Sequence, residues 1–267
     1  MRIYYQSMTP LHALPGYVNS LAAHVKAVCP ADTEVQFHGI DEAYFEGSSP
    51  TEVYRYPYLK HRILGGVVER GREAQAQGFD CFVLGSFSEP YLTELRSVLD
   101  IPVISMAESA ALLACSFAPK FAFVSLSTMS ARRLSAIIEG HGLVSRVSGF
   151  HALSTPVNEP QLEAAFADPA QVVALFRQTA LEAVAQGADA VIPAEGVISE
   201  VLHGAGVRQI DGATVVDSIG ATLLYANMLV QAQRHSGMGV GRRWGYLRPT
   251  PAMLSRVGVA KPFIARQ

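Results

Sequence analysis

The chain has 267 residues, of which 49% are hydrophobic and 16% are charged, and its 21 basic and 23 acidic side chains nearly balance. This composition excludes a disordered chain, and it offers no basic stripe for a nucleic-acid partner. The longest apolar stretch, residues 104–124, is interrupted by Glu108, Pro119 and Lys120, so we expect no membrane span. The first residues resemble a strand rather than the apolar region of a signal peptide, and we expect a cytoplasmic protein.

Predicted strands and helices alternate along the chain. Short β-branched or aromatic runs predict strands at residues 3–6, 34–38, 80–85, 102–106, 121–126, 143–148, 190–194 and 214–216. Between them, apolar residues recur at helical spacing, as at Leu92, Leu95 and Leu99. Most of the strands are continuously apolar, which is typical of a parallel sheet that helices cover on both faces. The sequence therefore predicts an α/β fold.

An internal repeat predicts two similar lobes. Residues 73–80 and 182–189 both read E-A-x-A-Q-G-x-D, and an apolar strand follows each copy. A polar residue stands at the same distance after each copy, Ser86 in the first and Glu195 in the second. Ligands bind beyond the carboxyl ends of parallel strands. We therefore expect two mainly parallel sheets flanked by helices and related by a pseudo-twofold axis, with the active site between them.

The lobes are predicted to be interleaved rather than consecutive. The first comprises residues 1–100 and 211–235, the second comprises residues 101–210, and residues 236–267 form a C-terminal tail. The segment R-R-W-G-Y-L-R-P at residues 242–249 suits docking on the first lobe or on a partner subunit. We expect a homodimer or a higher homo-oligomer, since symmetric assemblies are common among soluble enzymes.

An ordered set of motifs resembles the aspartate/glutamate/hydantoin racemase superfamily. In the first half of the chain, S-F-S-E-P at 86–90 matches the family's C-F-G-D-P, and P-V-I-S-M-A-E-S at 102–109 matches P-V-x-G-I-x-E-A. The segment K-F-A-F-V-S-L at 120–126 then matches R-F-x-V-V-T-T. In the second half, G-A-D at 187–189 through Glu195 matches G-A-D-x5-C, and V-V-D at 215–217 matches P-V-I-D. The resemblance covers roughly residues 1–232. It implies chemistry through an enolate-like intermediate without a cofactor.

The two family cysteines are missing from the matching positions. In the racemases both strand ends carry cysteine, and one thiolate takes a proton while the opposite thiol gives one. Here Ser86 and Glu195 stand in those places, and the cysteines of this chain fall elsewhere, at Cys29, Cys81 and Cys115. Because a serine alkoxide is far too basic to be populated near neutral pH, we do not expect two-base racemisation of the two-cysteine type.

Ser86 and Glu195 are the candidate catalytic residues. Burial between the lobes would raise the pKa of Glu195, so that it can act as a base toward a carbon acid, a water or Ser86. Ser86 can donate a hydrogen bond to an enolate, or attack a carbonyl if a base takes its proton. The alternative is that each side chain only caps the helix or turn that follows it.

Further candidates would hold the substrate. They are hydroxyl-bearing residues at strand ends and neighbours of the catalytic pair, namely Ser7, Thr9, Phe87, Ser88, Ser125, Ser127, Gly196 and Val197. The eight histidines show no ligand spacing, so we expect no metal site. No glycine-rich phosphate motif follows a strand, so we expect no nucleotide cofactor.

Three functions remain open at this point. The first is a cofactor-independent isomerase, epimerase or decarboxylase that moves a proton next to a carbonyl. Its substrate would be a small carboxylate or carbonyl compound of the amino-acid, hydantoin or dicarboxylate type. The second is a hydrolase of an amide, imide or lactone-like bond that uses Ser86 or a water activated by Glu195. The third is a small-molecule binding protein without catalysis.

Overall fold

Two separate sheets organise residues 1–256, the part of the chain that the computed structural model describes. The first has the strand order β2-β1-β3-β4 and the second β6-β5-β7-β9-β8. The strands are β1 (Arg2–Ser7), β2 (Glu34–His38), β3 (Cys81–Gly85), β4 (Val103–Ser105), β5 (Phe121–Ser125), β6 (Val147–Ala152), β7 (Ala190–Pro193), β8 (Gln209–Ile210) and β9 (Ala213–Val215). All pairings are parallel except that of β8 with β9.

Helices connect the strands and cover both faces of each sheet. They are α1 (Pro15–Val28), α2 (Pro50–Val53), α3 (Pro57–Leu64), α4 (Val67–Ala76), α5 (Leu92–Val98), α6 (Met106–Ala114), α7 (Thr128–Gly140), α8 (Glu159–Ala164), α9 (Ala170–Ala185), α10 (Gly196–Gly204), α11 (Ser218–Ser236) and α12 (Pro251–Arg256). None of these helices has both the length and the apolar character that crossing a bilayer requires.

The central strands are buried along their whole length, as their apolar sequences predict. Every residue of β3, β5 and β7 is buried. One continuous core contains Val83 of the first sheet together with Phe123 and Ile192 of the second. A separate cluster, which includes Phe82 and Leu84, fills the outer face of the first sheet. The α/β class and the two-sheet arrangement are confirmed, and the shared core joins the two sheets into one body.

The predicted position of the sixth strand is wrong, and the prediction lacks one short strand. The sixth strand begins at Val147 instead of residue 143, because Arg146 holds the preceding turn by donating to the carbonyls of Pro119, Cys115 and Ala118. The short strand β8 was missed. Asp211 and Gly212 both have positive φ and reverse the chain between β8 and β9, as in a two-residue hairpin turn.

The strand pairing also corrects the predicted lobe boundaries. The prediction placed residues 101–210 in the second lobe, but β4 pairs with β3 in the first sheet, because β3, α5 and β4 form one parallel crossover unit. The prediction placed residues 211–235 in the first lobe, but β9 pairs with β7 in the second sheet. The return to the first lobe is made by α11, which packs against α6, α1, β3 and β4.

The tail packs on the first lobe as far as it is described. The Arg242 guanidinium donates to the carbonyls of Arg96 and Ser97, at 2.6 and 2.9 Å, and to the carbonyl of Leu99. Arg248 pairs with Asp100 at 2.5 Å. These contacts support the first of the two docking surfaces expected for residues 236–267. Residues 257–267 of that predicted tail lie outside the described residues.

Candidate active site

A cavity of about 190 Å³ lies where the carboxyl ends of the two sheets meet. Ser7 and Gly85 end β1 and β3 of the first sheet, and Ser125 ends β5 of the second; all three line the cavity. Ser86 and Glu195, which follow β3 and β7, also line it. The structure therefore brings together the two side chains that the repeat singled out, one from each sheet.

Glu195 is a carboxylate held at the beginning of a helix. It is the N-cap of α10, and its Oε2 accepts a hydrogen bond from the backbone N–H of Ile198 at 2.8 Å. Burial raises the pKa of Glu195 to about 7, although the N–H groups at the start of α10 favour the charged form. Part of the side chain remains accessible from the cavity. A carboxyl group with this pKa can both accept and return a proton near neutral pH.

The Ser86 hydroxyl lies in a small serine cluster. Its Oγ accepts a hydrogen bond from the Ser88 backbone N–H at 3.2 Å and lies 3.1 Å from the Ser88 hydroxyl. Ser86 and Glu195 therefore both make the capping contacts that were the alternative to a catalytic role. Capping does not remove either side chain from the cavity, since both line it.

Seven of the eight predicted substrate-binding residues line the same cavity. The exception is Ser127, which caps α7 by accepting from the Ser130 N–H at 3.2 Å and also pairs with the Ser130 hydroxyl. Its extended backbone turns the side chain toward the helix end, and Ser130 lines the cavity in its place. The residues that do line the cavity are Ser7, Thr9, Phe87, Ser88, Ser125, Gly196 and Val197.

Tyr17 is a buried neighbour of Glu195 that the sequence did not reveal. It lines the cavity, and a Cβ added at Gly196 would lie 2.8 Å from its hydroxyl, so a larger residue at position 196 would require the Tyr17 side chain to shift. Its hydroxyl also lies 3.5 Å from that of Tyr5. Burial raises the pKa of Tyr17, which keeps the phenol neutral.

Two cations also line the cavity and were not predicted. Arg133 of α7 donates to the carbonyls of Tyr54 and Arg55, at 3.0 and 3.2 Å, and so bridges to the first lobe. Lys60 of α3 lies near it, and burial together with the positive charge of Arg133 lowers the pKa of Lys60. Neither residue follows a strand, so the strand-end argument could not find them.

A second carboxylate, Glu159, faces the same cavity. Its Oε1 accepts from the Thr51 N–H at 2.9 Å and from the Thr51 hydroxyl. Its Oε2 is buried and has no hydrogen-bond partner within the described residues. The negative charge of Glu159 adds to the raised pKa of Glu195. The cavity thus combines two cations, two carboxylates and several hydroxyls.

No cysteine lines this cavity within the described residues. Cys81 is wholly buried at the start of β3, and burial raises the pKa of its thiol. Cys29 and Cys115 are partly buried at the ends of α1 and α6. The chemistry available at this site is therefore that of carboxyl, hydroxyl, ammonium and guanidinium groups.

Comparison with known proteins decides the family. The family model described as Asp/Glu/Hydantoin racemase matches residues 16–224. The chain belongs to the Asp/Glu/hydantoin racemase family. The hydantoin racemase of Pseudomonas sp. (strain NS671) is 26% identical over 185 residues, which are 69% of this chain and 70% of that protein. The hydantoin racemase of Rhizobium meliloti is 24% identical over 211 residues, which are 78% of this chain and 77% of that protein.

Solved structures of two racemases share the fold. The allantoin racemase from Klebsiella pneumoniae superposes with a TM-score of 0.71 at 20% identity, covering 93% of this chain and 94% of that one. The allantoin racemase from Pseudomonas fluorescens gives 0.68 at 20% identity, covering 94% and 98%. These likenesses confirm the predicted two-sheet α/β architecture of the racemase family.

Proposed function

We propose that this racemase-family protein is a cofactor-independent isomerase-type enzyme that moves a proton at a carbon next to a carbonyl. Glu195 takes and returns the proton, and Ser86 donates a hydrogen bond to the oxygen that becomes negative in the enolate-like intermediate. The observation that carries this proposal is the carboxyl group of Glu195, which faces the cavity with a pKa of about 7. An ordinary carboxylate is too weak a base for this step.

The residue that follows β3, on the side of the cavity opposite Glu195, determines the stereochemical outcome. Racemisation by two bases needs a second acid or base on the other face of the substrate, and within the described residues Ser86, which occupies that end, has no charged partner. Its hydroxyl contacts are made by Ser88. We therefore expect proton exchange on one face of the substrate, rather than two-base racemisation of aspartate, glutamate or hydantoins.

The charges of the cavity favour a particular substrate class. Lys60 and Arg133 can hold a carboxylate or an anionic carbonyl oxygen. The unpartnered Oε2 of Glu159 can accept an N–H. A small molecule that carries an anionic oxygen and an N–H group near one carbon is of the amino-acid, hydantoin or ureido type. The names of the related hydantoin and allantoin racemases agree with this class.

Proton exchange in D₂O tests the proposal. The substrates are enantiopure hydantoins, allantoin and free amino acids. Proton NMR measures exchange, optical rotation measures racemisation, and ring opening is measured alongside them. We expect exchange with one enantiomer of at least one compound, which Glu195→Gln abolishes and Glu182→Gln, an exposed control on α9, retains. Undiminished exchange in Glu195→Gln would falsify the assignment of the base.

The same panel separates the two alternatives. Ring opening without exchange identifies a hydrolase, and binding without either reaction identifies a protein that keeps the cavity but not the chemistry. Rapid exchange from both enantiomers contradicts the one-base mechanism, because it requires proton donors on both faces of the substrate.

A further inference from the structure

A cluster of polar side chains lies outside the cavity, where three helices meet. It consists of His24 on α1, His203 on α10 and Asp217 at the N-cap of α11. None of the three lines the cavity. The cluster joins α1, which follows the first strand of the first sheet, to α10, which begins directly after Glu195.

The spacing of the three donor atoms suits a small cation. The Nε2 atom of His24 lies 2.9 Å from Oδ2 of Asp217, and Nδ1 of His203 lies 3.3 Å from the same oxygen. All three atoms lie within 4.8 Å of one another. Zinc binds nitrogen and oxygen at about 2.0–2.2 Å, so adjacent ligands of a tetrahedral ion are about 3.4 Å apart.

Two of these atoms have no hydrogen-bond partner within the described residues. They are Nε2 of His24 and Nδ1 of His203, and both are buried atoms. Both atoms lie close to Oδ2 of Asp217, at 2.9 and 3.3 Å. The His24 side chain is only 1% exposed. A buried imidazole nitrogen normally has a hydrogen-bond partner, so two such nitrogens without one, next to a carboxylate, require an explanation.

The surrounding contacts orient the ligand atoms. The Nδ1 atom of His24 lies 2.6 Å from Oε1 of Glu200, whose Oε2 accepts from the Ser20 hydroxyl. Glu200 is completely buried. A histidine that binds a metal usually donates its other ring N–H to a carboxylate in this way, which leaves the second nitrogen free as the ligand. Asp217 is oriented as well, because its Oδ1 accepts from the Gly220 N–H at 2.9 Å.

We propose that His24, His203 and Asp217 bind one divalent transition-metal ion, with Zn²⁺ preferred. Two imidazoles and one carboxylate select zinc, cobalt or nickel over magnesium or calcium, which prefer oxygen ligands. The side chains of His203 and Asp217 are 30% and 32% exposed, which gives the ion a path from solvent and leaves room for a water as fourth ligand. The ion would link α1 to α10 and so support the helix that Glu195 caps.

The competing explanation is an ion pair without a metal. A protonated His24 between Glu200 and Asp217 would also satisfy the charges of the cluster. The two explanations differ in one measurable property, because an ion pair has no reason to take up Zn²⁺ or Co²⁺. This inference does not depend on the proposed function, and its test needs no substrate.

Metal titration of the full-length protein tests the inference. After treatment with a chelator and its removal, Zn²⁺ binding is measured by calorimetry and Co²⁺ binding by visible absorption. We expect about one ion per chain, a rise in the melting temperature with excess Zn²⁺, and at least tenfold weaker binding in His203→Ala and Asp217→Asn. His235→Ala, which removes an exposed histidine at the end of α11, is the matched control and should bind normally.

The variants are chosen so that each result is decisive. His203 is partly exposed, and an asparagine at position 217 keeps the N-cap of α11, so both variants should remain folded, as circular dichroism would verify. Lack of saturable Zn²⁺ and Co²⁺ binding by the wild type refutes the proposal. Undiminished binding in both His203→Ala and Asp217→Asn refutes it equally, since the ion would then lie elsewhere.

Discussion

Replacing Glu195 with glutamine should make the protein more stable at alkaline pH. The pKa of Glu195 is about 7 instead of the usual 4.5, so the folded chain binds more protons than the unfolded chain between these values. The free energy of unfolding therefore falls as pH rises through this window. At about 1.36 kcal/mol per pKa unit, the fall amounts to roughly 2–3 kcal/mol between about pH 5 and about pH 8.

Urea unfolding at several pH values measures this effect without a substrate. Glutamine resembles the protonated carboxyl group in shape, so the Glu195→Gln variant should lose the pH-dependent fall and exceed the wild type at about pH 8. The exposed control Glu182→Gln should follow the wild type at every pH. Parallel pH curves for the wild type and Glu195→Gln would show that the carboxyl group titrates normally and would remove the main support for its role as base.

Three further predictions concern Ser86, Arg242 and His141. Once a substrate is found, Ser86→Ala should lower kcat by roughly 10²–10³-fold if the hydroxyl only stabilises charge, and steady-state kinetics measure this. Arg242→Ala should lower the free energy of unfolding by about 1–3 kcal/mol in urea, because carbonyls at the end of α5 lose their donor; an unchanged midpoint contradicts the described docking. His141 lies 2.9 Å from Glu89, and this hydrogen bond raises the pKa of His141. Its stabilising contribution is complete below about pH 6.5 and is lost as pH rises through the raised pKa, so the melting temperature of His141→Gln should differ from the wild type more at about pH 6 than at about pH 9.

The sequence predicts features that local patterns encode. The buried runs of β3, β5 and β7 identify the parallel sheets, and the repeat identifies Ser86 and Glu195, because both follow strands whose ends meet. The sheet that a strand joins depends on long-range pairing, so β4 and β9 were assigned to the wrong sheets. The beginning of β6 depends on one arginine that reaches three distant carbonyls.

Residues that act through tertiary position were not predictable in the same way. Lys60 and Arg133 reach the cavity from helices, and no spacing in the sequence relates them to the strand ends. Ser127 shows the converse, since it has the right position after a strand but its hydroxyl is used to cap α7. The repeat could therefore locate the pair at the centre of the site, but not the charges around it.

The course of α11 has a consequence for how the chain folds during synthesis. All four strands of the first sheet have emerged from the ribosome once residue 105 has left the exit tunnel. Its covering helix, Ser218–Ser236, follows only after every strand of the second sheet has been made. The first sheet must therefore wait with part of its apolar surface uncovered. Chains stalled between these points should bind chaperones and be cleaved readily by proteases, whereas chains that extend past α11 should resist cleavage.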